Sequence, residues 1–337
     1  MLLIFNSNKL FFLFILFFST LISISSNSWF GCWIGLEINL MSFIPLINNS
    51  NNILTSEASL KYFLTQTIAS INFLFFILLN MIFFKNFEYN NLMSIMINSS
   101  MLMKMGSAPF HFWFPNIVEG LSWFNNFILM TWQKISPLIL MSYYFNKNFL
   151  MIMIILNIII GAVNGINQTS LRKLMAFSSI NNLGWMIISM MISENLFLFY
   201  ITIYSLLISI MCMFFYFMNL FFINQLFFIN MNFMIKINLL INFLSLGGLP
   251  PFIGFFPKWI IINFLMINKL YLLTFIFIMM SLIMLFFYIR ILYSSFMFNY
   301  IKLKWFKINI KNNIKMLMNF LSMLSIMGMI FSTLFFF

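Results

Sequence analysis

Four ionisable residues lie inside long apolar runs of this sequence. Glu37 is near the middle of one run, and Lys104, Lys134 and Lys258 lie in three others. A charge at the centre of a bilayer costs at least ~2.5–3.5 kcal/mol on insertion scales, so it needs a partner, water or neutralisation. Such a group can change its protonation state when its partner or its water moves. That is the physical requirement of a proton relay.

The pairing of these charges has two interpretations. Glu37 is the acid with a clearly central position, and Lys104 is its best partner by depth. A static structural salt bridge is the simpler interpretation, but the lysines outnumber the acids, and surplus lysines favour a hydrated axis. His111, seven residues after Lys104, is expected on the same helical face, where it can relay a proton. A hydrogen-bonded interfacial histidine is the alternative.

The elements that must position these residues are predicted to be transmembrane helices. Hydrophobic residues make up 63% of the 337 residues and charged residues only 7%, against about 25% charged residues in soluble domains. A span needs about 20 mostly apolar residues, and this criterion predicts an all-α polytopic membrane protein with about 11 spans. The predicted spans are 9–26, 29–47, 60–84, 92–111, 124–144, 148–166, 172–192, 196–223, 238–265, 270–296 and 316–336.

Glycine and proline interrupt three of the predicted spans. The ninth contains the sequence LGGLPP at 246–251, the end of the fourth contains 108–109 and Pro115, and the fifth contains Pro137. A break at bilayer depth survives only where protein or a wet cavity satisfies the freed backbone groups. Broken helices are common in ion pathways. A packing kink is the alternative at each position.

The basic residues indicate membrane orientation rather than nucleic-acid binding. There are 17 Lys and Arg against 5 Asp and Glu, but they are scattered among apolar runs. Most lie on the side shared with the N-terminus, above all in the five-lysine loop 299–315, so the positive-inside rule places that side in the compartment of insertion. The abundance of Phe, Ile, Met, Asn and Lys indicates an AT-rich mitochondrial genome. We therefore expect the N-terminus in the matrix and the C-terminus in the intermembrane space. Arg172 and Lys173 set orientation or contact the phosphates of membrane phospholipids.

The sequence shows no redox or nucleotide site. Cys32 and Cys212 lie in apolar stretches and are predicted to be packing residues. Two cysteines alone cannot ligate an iron–sulfur cluster, which usually takes four. Neither a phosphate loop nor a dinucleotide fingerprint occurs.

Several stretches of the sequence resemble a known family. They are WIGLEINL (33–40), SEASLKYFLTQ (56–66), KMGSAPFHFWFP (104–115), TWQK (131–134), NQTSLRKLMAFSSI (167–180), LGGLPP (246–251) and FPKW (256–259). In this order, and over nearly the whole chain, they resemble the subunit 2 family of mitochondrial NADH–ubiquinone oxidoreductase, respiratory complex I. The composition is insect-like.

This resemblance implies a single antiporter-like transmembrane domain over 1–337, with two inverted five-helix repeats and a broken helix in each. It implies that Glu37, Lys104, Lys134 and Lys258 form a polar axis along the membrane midplane, with His111 in a matched stretch. The partners would be other membrane-arm subunits. No cofactor is expected in this chain, because NADH, FMN, iron–sulfur clusters and ubiquinone would bind elsewhere in the complex.

Three functions stay open at this point. The chain is a complex I subunit that contributes to proton translocation across the mitochondrial inner membrane, coupled to electron transfer from NADH to ubiquinone. Alternatively, it is a structural, non-pumping subunit of the membrane arm, in which the same residues form static pairs. The third alternative is a stand-alone cation/proton antiporter. The composition that indicates a mitochondrial genome disfavours it.

Overall fold

The computed structural model describes residues 7–49, 52–83, 87–228, 233–297, 312–326 and 328. Apart from an isolated β-bridge between Ser170 and Phe222, the regular structure in these ranges is helical, so the all-α prediction is confirmed. The helices are α1 (Ser7–Ser25), α2 (Trp29–Ile47), α3 (Ile53–Phe83), α4 (Phe87–Met105), α5 (Trp113–Gly120), α6 (Trp123–Met130), α7 (Trp132–Tyr143), α8 (Lys147–Ile166), α9 (Leu171–Ile192), α10 (Glu194–Met218), α11 (Ile223–Phe228), α12 (Phe233–Gly247), α13 (Phe255–Ile267), α14 (Tyr271–Met297) and α15 (Asn312–Ile326).

The helices are apolar enough for a polytopic membrane protein. Seven of those in the described part, α1, α2, α3, α8, α9, α10 and α14, are long and apolar enough to cross a membrane. The fifth predicted span is divided between the shorter helices α6 and α7, and the ninth between α12 and α13. Within the fourth predicted span, 92–111, α4 ends at Met105, and α5 begins beyond the span at Trp113. The count of about 11 spans stays a prediction. Residues 299–311 of the predicted five-lysine loop, and residues 327 and 329–336 of the last predicted span, lie outside the described residues.

The contacts divide the chain into two compact units, Met1–Met153 and Ile154–Phe337. In the first unit α1 and α2 pack closely as a hairpin, and α3 packs on α2, α4 and α5. Gly35 of α2 permits the close approach, because a Cβ there would lie 2.7 Å from the backbone nitrogen of Ser23 in α1. Small residues at such crossings let two backbones come together.

The second unit is built around α9. Nearly every side chain from Leu171 to Ser189 is buried, including the polar Asn181 and Asn182. The Asn181 amide donates to the Ile158 carbonyl of α8 at 3.1 Å. Buried amides of this kind hold neighbouring helices in register where water is absent.

The structure corrects the position of two breaks. Pro115 does not interrupt a helix but lies in the first turn of α5, where the missing N–H has no helical acceptor in any case. Pro137 lies inside α7, and the fifth span is instead divided at Thr131. The Thr131 hydroxyl donates to the Phe127 carbonyl at 2.7 Å and competes there with the backbone ladder. The break in the ninth span is confirmed between α12 and α13.

The approach of α1 and α2 gives a first prediction. Gly35→Ala forces the two backbones apart, because the added methyl group would lie within 2.8 Å of Ser23 atoms. We expect a destabilisation of about 1–3 kcal/mol, measured as a lower thermal unfolding midpoint of the purified protein. Ile34→Val, at the neighbouring and exposed position, is the matched control. Equal midpoints for the two variants would contradict the tight crossing.

Candidate functional site

Three buried lysines each lie next to a helix break. Lys104 is in the last turn of α4, Lys134 is in the first turn of α7, and Lys258 is in the first turn of α13. Their exposed fractions are 7%, 2% and 8%, so each ammonium is withdrawn into the protein. Lys104 and Lys134 belong to the first unit, and Lys258 belongs to the second.

The first break follows Lys104 directly. Gly106 has φ of 68°, a conformation that favours glycine, and it ends α4. The last carbonyls of a helix have no intrahelical donor. The Lys104 carbonyl is satisfied by the side chain of Gln66 in α3, whose Nε2 donates to it at 2.9 Å. Gln66, which the sequence places only in a matched stretch, therefore fixes the end of α4 that carries Lys104.

A small polar cavity of the first unit adjoins Lys104. It is lined by Leu36, Asn39, Leu40, Tyr62, Gln66, Lys104, Gln133, Ser136 and Pro137. It offers about 20 Å³ to the centre of a water molecule, and ~10–15 Å³ is enough for one water with polar partners. The Ser136 hydroxyl is buried without a hydrogen-bond partner among the described residues. Gln133 donates to the Asn39 side chain at 2.9 Å.

Glu37 acts on Lys104 through space. The two side chains interact electrostatically, but among the described residues the one direct ion pair is between Lys61 and Glu57, at an exposed end of α3. The predicted pairing of Glu37 with Lys104 is thus an interaction without direct contact. Glu37 is half-buried, on the side of α2 that carries the exposed Ile34.

Lys134 connects the α6–α7 break to α5. Its Nζ lies 5.2 Å from the centroid of the buried Phe114 ring, within the range of a cation–π contact. Pro137, one turn later, has no N–H to offer to the Gln133 carbonyl. Lys134 therefore lies between two interruptions of the helical hydrogen bonds, the break at Thr131 before it and Pro137 after it.

Lys258 hydrogen-bonds across the second break, between α12 and α13. Its Nζ donates to the carbonyls of Leu246 and Gly247 at 3.3 and 3.2 Å. These belong to the last turn of α12, where a positive charge is favourable to the helix dipole. Gly248 has φ of 83°, a conformation that favours glycine, and a Cβ there would lie 3.0 Å from the Lys258 Nζ.

A second cavity adjoins Lys258. It is lined by Asn182, Tyr200, Ile203, Tyr204, Leu207, Ser245, Leu246, Gly254, Pro257 and Lys258, and it also offers about 20 Å³ to the centre of a water molecule. The Tyr200 hydroxyl donates to the Asn182 side chain at 3.0 Å. Each unit thus places a lysine, a broken helix and a small cavity together, and the cavity beside Lys104 is mainly polar whereas the cavity beside Lys258 is mainly apolar.

His111 lies apart from the helical face of Lys104. The expectation of a shared face is wrong, because α4 ends at Met105 and His111 lies in the turn before α5. Its ring is buried, and its Nδ1 is 3.2 Å from the Pro109 carbonyl. No cluster of three or more His, Cys, Asp or Glu that can hold a metal ion occurs in the described part of the chain.

Comparisons with known proteins agree with this architecture. The family model described as NADH:quinone oxidoreductase/Mrp antiporter, TM, matches residues 26–284. The chain is 52% identical over 325 residues to NADH-ubiquinone oxidoreductase chain 2 of Anopheles gambiae, covering 94% of this chain and 95% of the relative. The chain belongs to the NADH-ubiquinone oxidoreductase chain 2 family. The family member from Locusta migratoria is 45% identical over 96% of both chains.

Solved structures share the fold of this chain 2 family member. A chain of respiratory complex I from Thermus thermophilus matches with a TM-score of 0.84 at 17% identity, covering 96% of this chain and 78% of that one. A chain of the archaeal membrane-bound sulfane sulfur reductase matches with a TM-score of 0.80 at 17% identity, covering 95% and 72%.

The contact between Gln66 and Lys104 gives a second prediction. Gln66→Leu leaves the buried Lys104 carbonyl without its donor, which costs about 1–3 kcal/mol. We expect a lower thermal unfolding midpoint of the purified protein. Thr67→Val is the matched control, since the Thr67 hydroxyl bonds only within its own helix, to the Leu64 carbonyl. If Gln66→Leu is no less stable than the control, the contact does not hold the break.

Proposed function

We propose that this chain is a core membrane-arm subunit of mitochondrial NADH:ubiquinone oxidoreductase. It contributes to proton translocation across the inner membrane, coupled to electron transfer from NADH to ubiquinone. Identities of 52% over 94% and 97% of the chain support this assignment. The chain carries no redox centre, and NADH, FMN, iron–sulfur clusters and ubiquinone bind in other subunits. Residues 1–337 act as a single antiporter-like domain, which the family match across both units supports.

The observation that carries the relay is the polar cavity beside Lys104. A water in this cavity can contact the Lys104 Nζ and the otherwise unbonded Ser136 hydroxyl. A proton can then leave the ammonium to water without crossing apolar protein. A carboxylate near an ammonium stabilises its charged form, and through this effect Glu37 would control how readily Lys104 releases its proton.

The remaining relay residues follow the same logic. Lys258 holds its proton against two backbone carbonyls, next to a cavity with Tyr200 and Ser245. Lys134 is stabilised as a cation by the face of Phe114. His111 takes part from the turn between α4 and α5, where its ring is buried and bonded to a backbone carbonyl.

One observation favours the structural, non-pumping alternative. Lys258 satisfies two carbonyls that the break leaves free, and a lysine in that position stabilises the broken helix whether or not it exchanges a proton. The relatives are named as chains of a larger oxidoreductase, which disfavours a stand-alone antiporter.

Other membrane-arm subunits are the partners. Glu37 is half-buried on a side of α2 whose other members, Phe30, Ile34 and Met41, are exposed. A carboxylate at bilayer depth needs protein or water around it, so we infer that a neighbouring subunit covers this side. Membrane phospholipids cover other apolar surface, and no nucleic acid takes part.

The lysine substitutions test the relay. We expect Lys104→Met, Lys258→Met and Glu37→Gln, made at the matching positions of a bacterial relative, to lower the number of protons pumped per electron at least twofold. Lys61→Met is the control, because Lys61 is exposed in an ion pair at the end of α3. The measurement is proton uptake per NADH oxidised in reconstituted vesicles.

The two candidate functions give opposite results in this experiment. A relay predicts a lower proton ratio in enzyme that is fully assembled. A purely structural role predicts less assembled complex with an unchanged proton ratio in what remains.

Orientation is a separate proposal, with the N-terminus in the matrix and the C-terminus in the intermembrane space of the inner membrane. A cysteine replacing Asn268, in the exposed turn before α14, should react with a membrane-impermeant thiol reagent in mitoplasts. A cysteine replacing the exposed Asn167, after α8, should react only after the inner membrane is opened. The native Cys32 and Cys212 are buried and give little background. The reverse pattern would overturn the orientation.

A further inference from the structure

Polar contacts join α15 to α12 in the second unit. The Asn238 amide of α12 donates to the Asn319 side chain of α15. The Ser322 hydroxyl of α15 lies within hydrogen-bond distance of two acceptors, the Asn238 side-chain oxygen at 3.0 Å and the Asn319 carbonyl of its own helix at 2.9 Å. Ser322 is 1% exposed and Asn238 is 7% exposed. Side-chain hydrogen bonds between helices tie them together where water is absent. α15 is therefore fixed to α12 by more than apolar packing.

The same helix contacts the loop of the second break, residues 248–254. The Ile253 N–H, which has no helical acceptor there, donates to the Ser325 carbonyl of α15 at 2.9 Å. Just beyond α15, the backbone of Gly328 packs on this residue so closely that a Cβ would lie 2.3 Å from the Ile253 Cα. The hydrogen-bonding capacity of the Ile253 N–H is thus satisfied by a carbonyl of α15 rather than by α12 or α13.

The position of this loop determines the position of Lys258. The Gly254 backbone lies on α12, where a Cβ would be 1.9 Å from the Ser245 carbonyl. The Ile253 carbonyl accepts from the Phe256 N–H at the start of α13. Lys258 follows in the first turn of α13, with its Nζ on the Gly247 carbonyl of α12. A shift of Ile253 therefore moves the start of α13 and the ammonium with it.

We infer that α15 is a positioning element for Lys258, with Ser322 and Gly328 as its positioning residues. It holds the break loop, and the loop sets the geometry between the ammonium and the carbonyls of α12. The match to the family model ends at residue 284, before α15 begins at Asn312. The inference rests on the proposed function, since it gives Lys258 a role in proton transfer.

Substitutions in α15 of the assembled complex test this inference. Ser322→Ala removes the hydroxyl that bonds Asn238, and Gly328→Ala pushes a methyl group into Ile253. The matched control is Ser325→Ala, because the equally buried Ser325 hydroxyl bonds only within α15, to the Ser322 carbonyl at 2.6 Å. That control leaves the carbonyl of residue 325 in place for Ile253.

Two measurements are made on each variant: hydrogen exchange of the backbone amides at 248–249 and 252–256, and protons pumped per electron. For Ser322→Ala and Gly328→Ala we expect exchange about threefold to tenfold faster, as the loss of a hydrogen bond implies, and a proton ratio lowered at least 1.5-fold in assembled enzyme. Ser325→Ala should change neither. The proton ratio is decisive because a merely structural loss would reduce the amount of complex and leave the ratio unchanged.

The outcomes separate this inference from the proposed function. Unchanged exchange in both variants, or faster exchange with a normal proton ratio while Lys258→Met lowers that ratio, would overturn the positioning role. A Lys258→Met enzyme that pumps normally would instead overturn the proposed function and, with it, the inference.

Discussion

A helix that breaks at bilayer depth leaves carbonyl and N–H groups that lipid cannot satisfy, and this constraint shapes the surroundings of the buried lysines. At the second break the Lys258 ammonium bonds the last carbonyls of α12. At the first break the Gln66 side chain donates a hydrogen bond to the Lys104 carbonyl. The carbonyls freed at the ends of α4 and α12 are thus satisfied by a buried lysine itself or by a side chain in contact with its backbone.

This arrangement gives the lysines a setting in which proton exchange is possible. A buried ammonium without polar neighbours would simply be expensive. Here Lys104 and Lys258 each adjoin a cavity with room for one water, and beside Lys104 the Gln133 and Ser136 side chains offer that water polar partners. The stability of the broken helices and proton transfer at the lysines therefore depend on the same atoms. For this reason a structural role and a relay role predict many of the same contacts.

Much of the fold follows from the sequence, because hydropathy and length govern which segments can span a bilayer. The burial of Lys104, Lys134 and Lys258 follows from their places in apolar runs, and the break at Gly248 follows from the Gly and Pro residues around it. Their chemical roles stay predictions.

The details that sequence reasoning missed depend on local competition and distant contacts. The fifth span breaks at Thr131 rather than at Pro137. Sequence reasoning missed this break because the bond from the Thr131 hydroxyl to its own helix leaves no signal in hydropathy. His111 leaves the face of Lys104 because the left-handed Gly106 ends α4 first. The bond from Gln66 to Lys104 spans 38 residues of sequence, a separation that no periodicity reveals.

The most direct test of the relay is a map of the complete membrane arm that resolves individual waters around Lys104. The account predicts an ordered water within hydrogen-bond distance of both the Lys104 Nζ and the Ser136 hydroxyl, with Glu37 near but not in direct contact with the ammonium. A dry cavity in every state of the enzyme, with Lys104 and Glu37 closed into a direct ion pair, would contradict it.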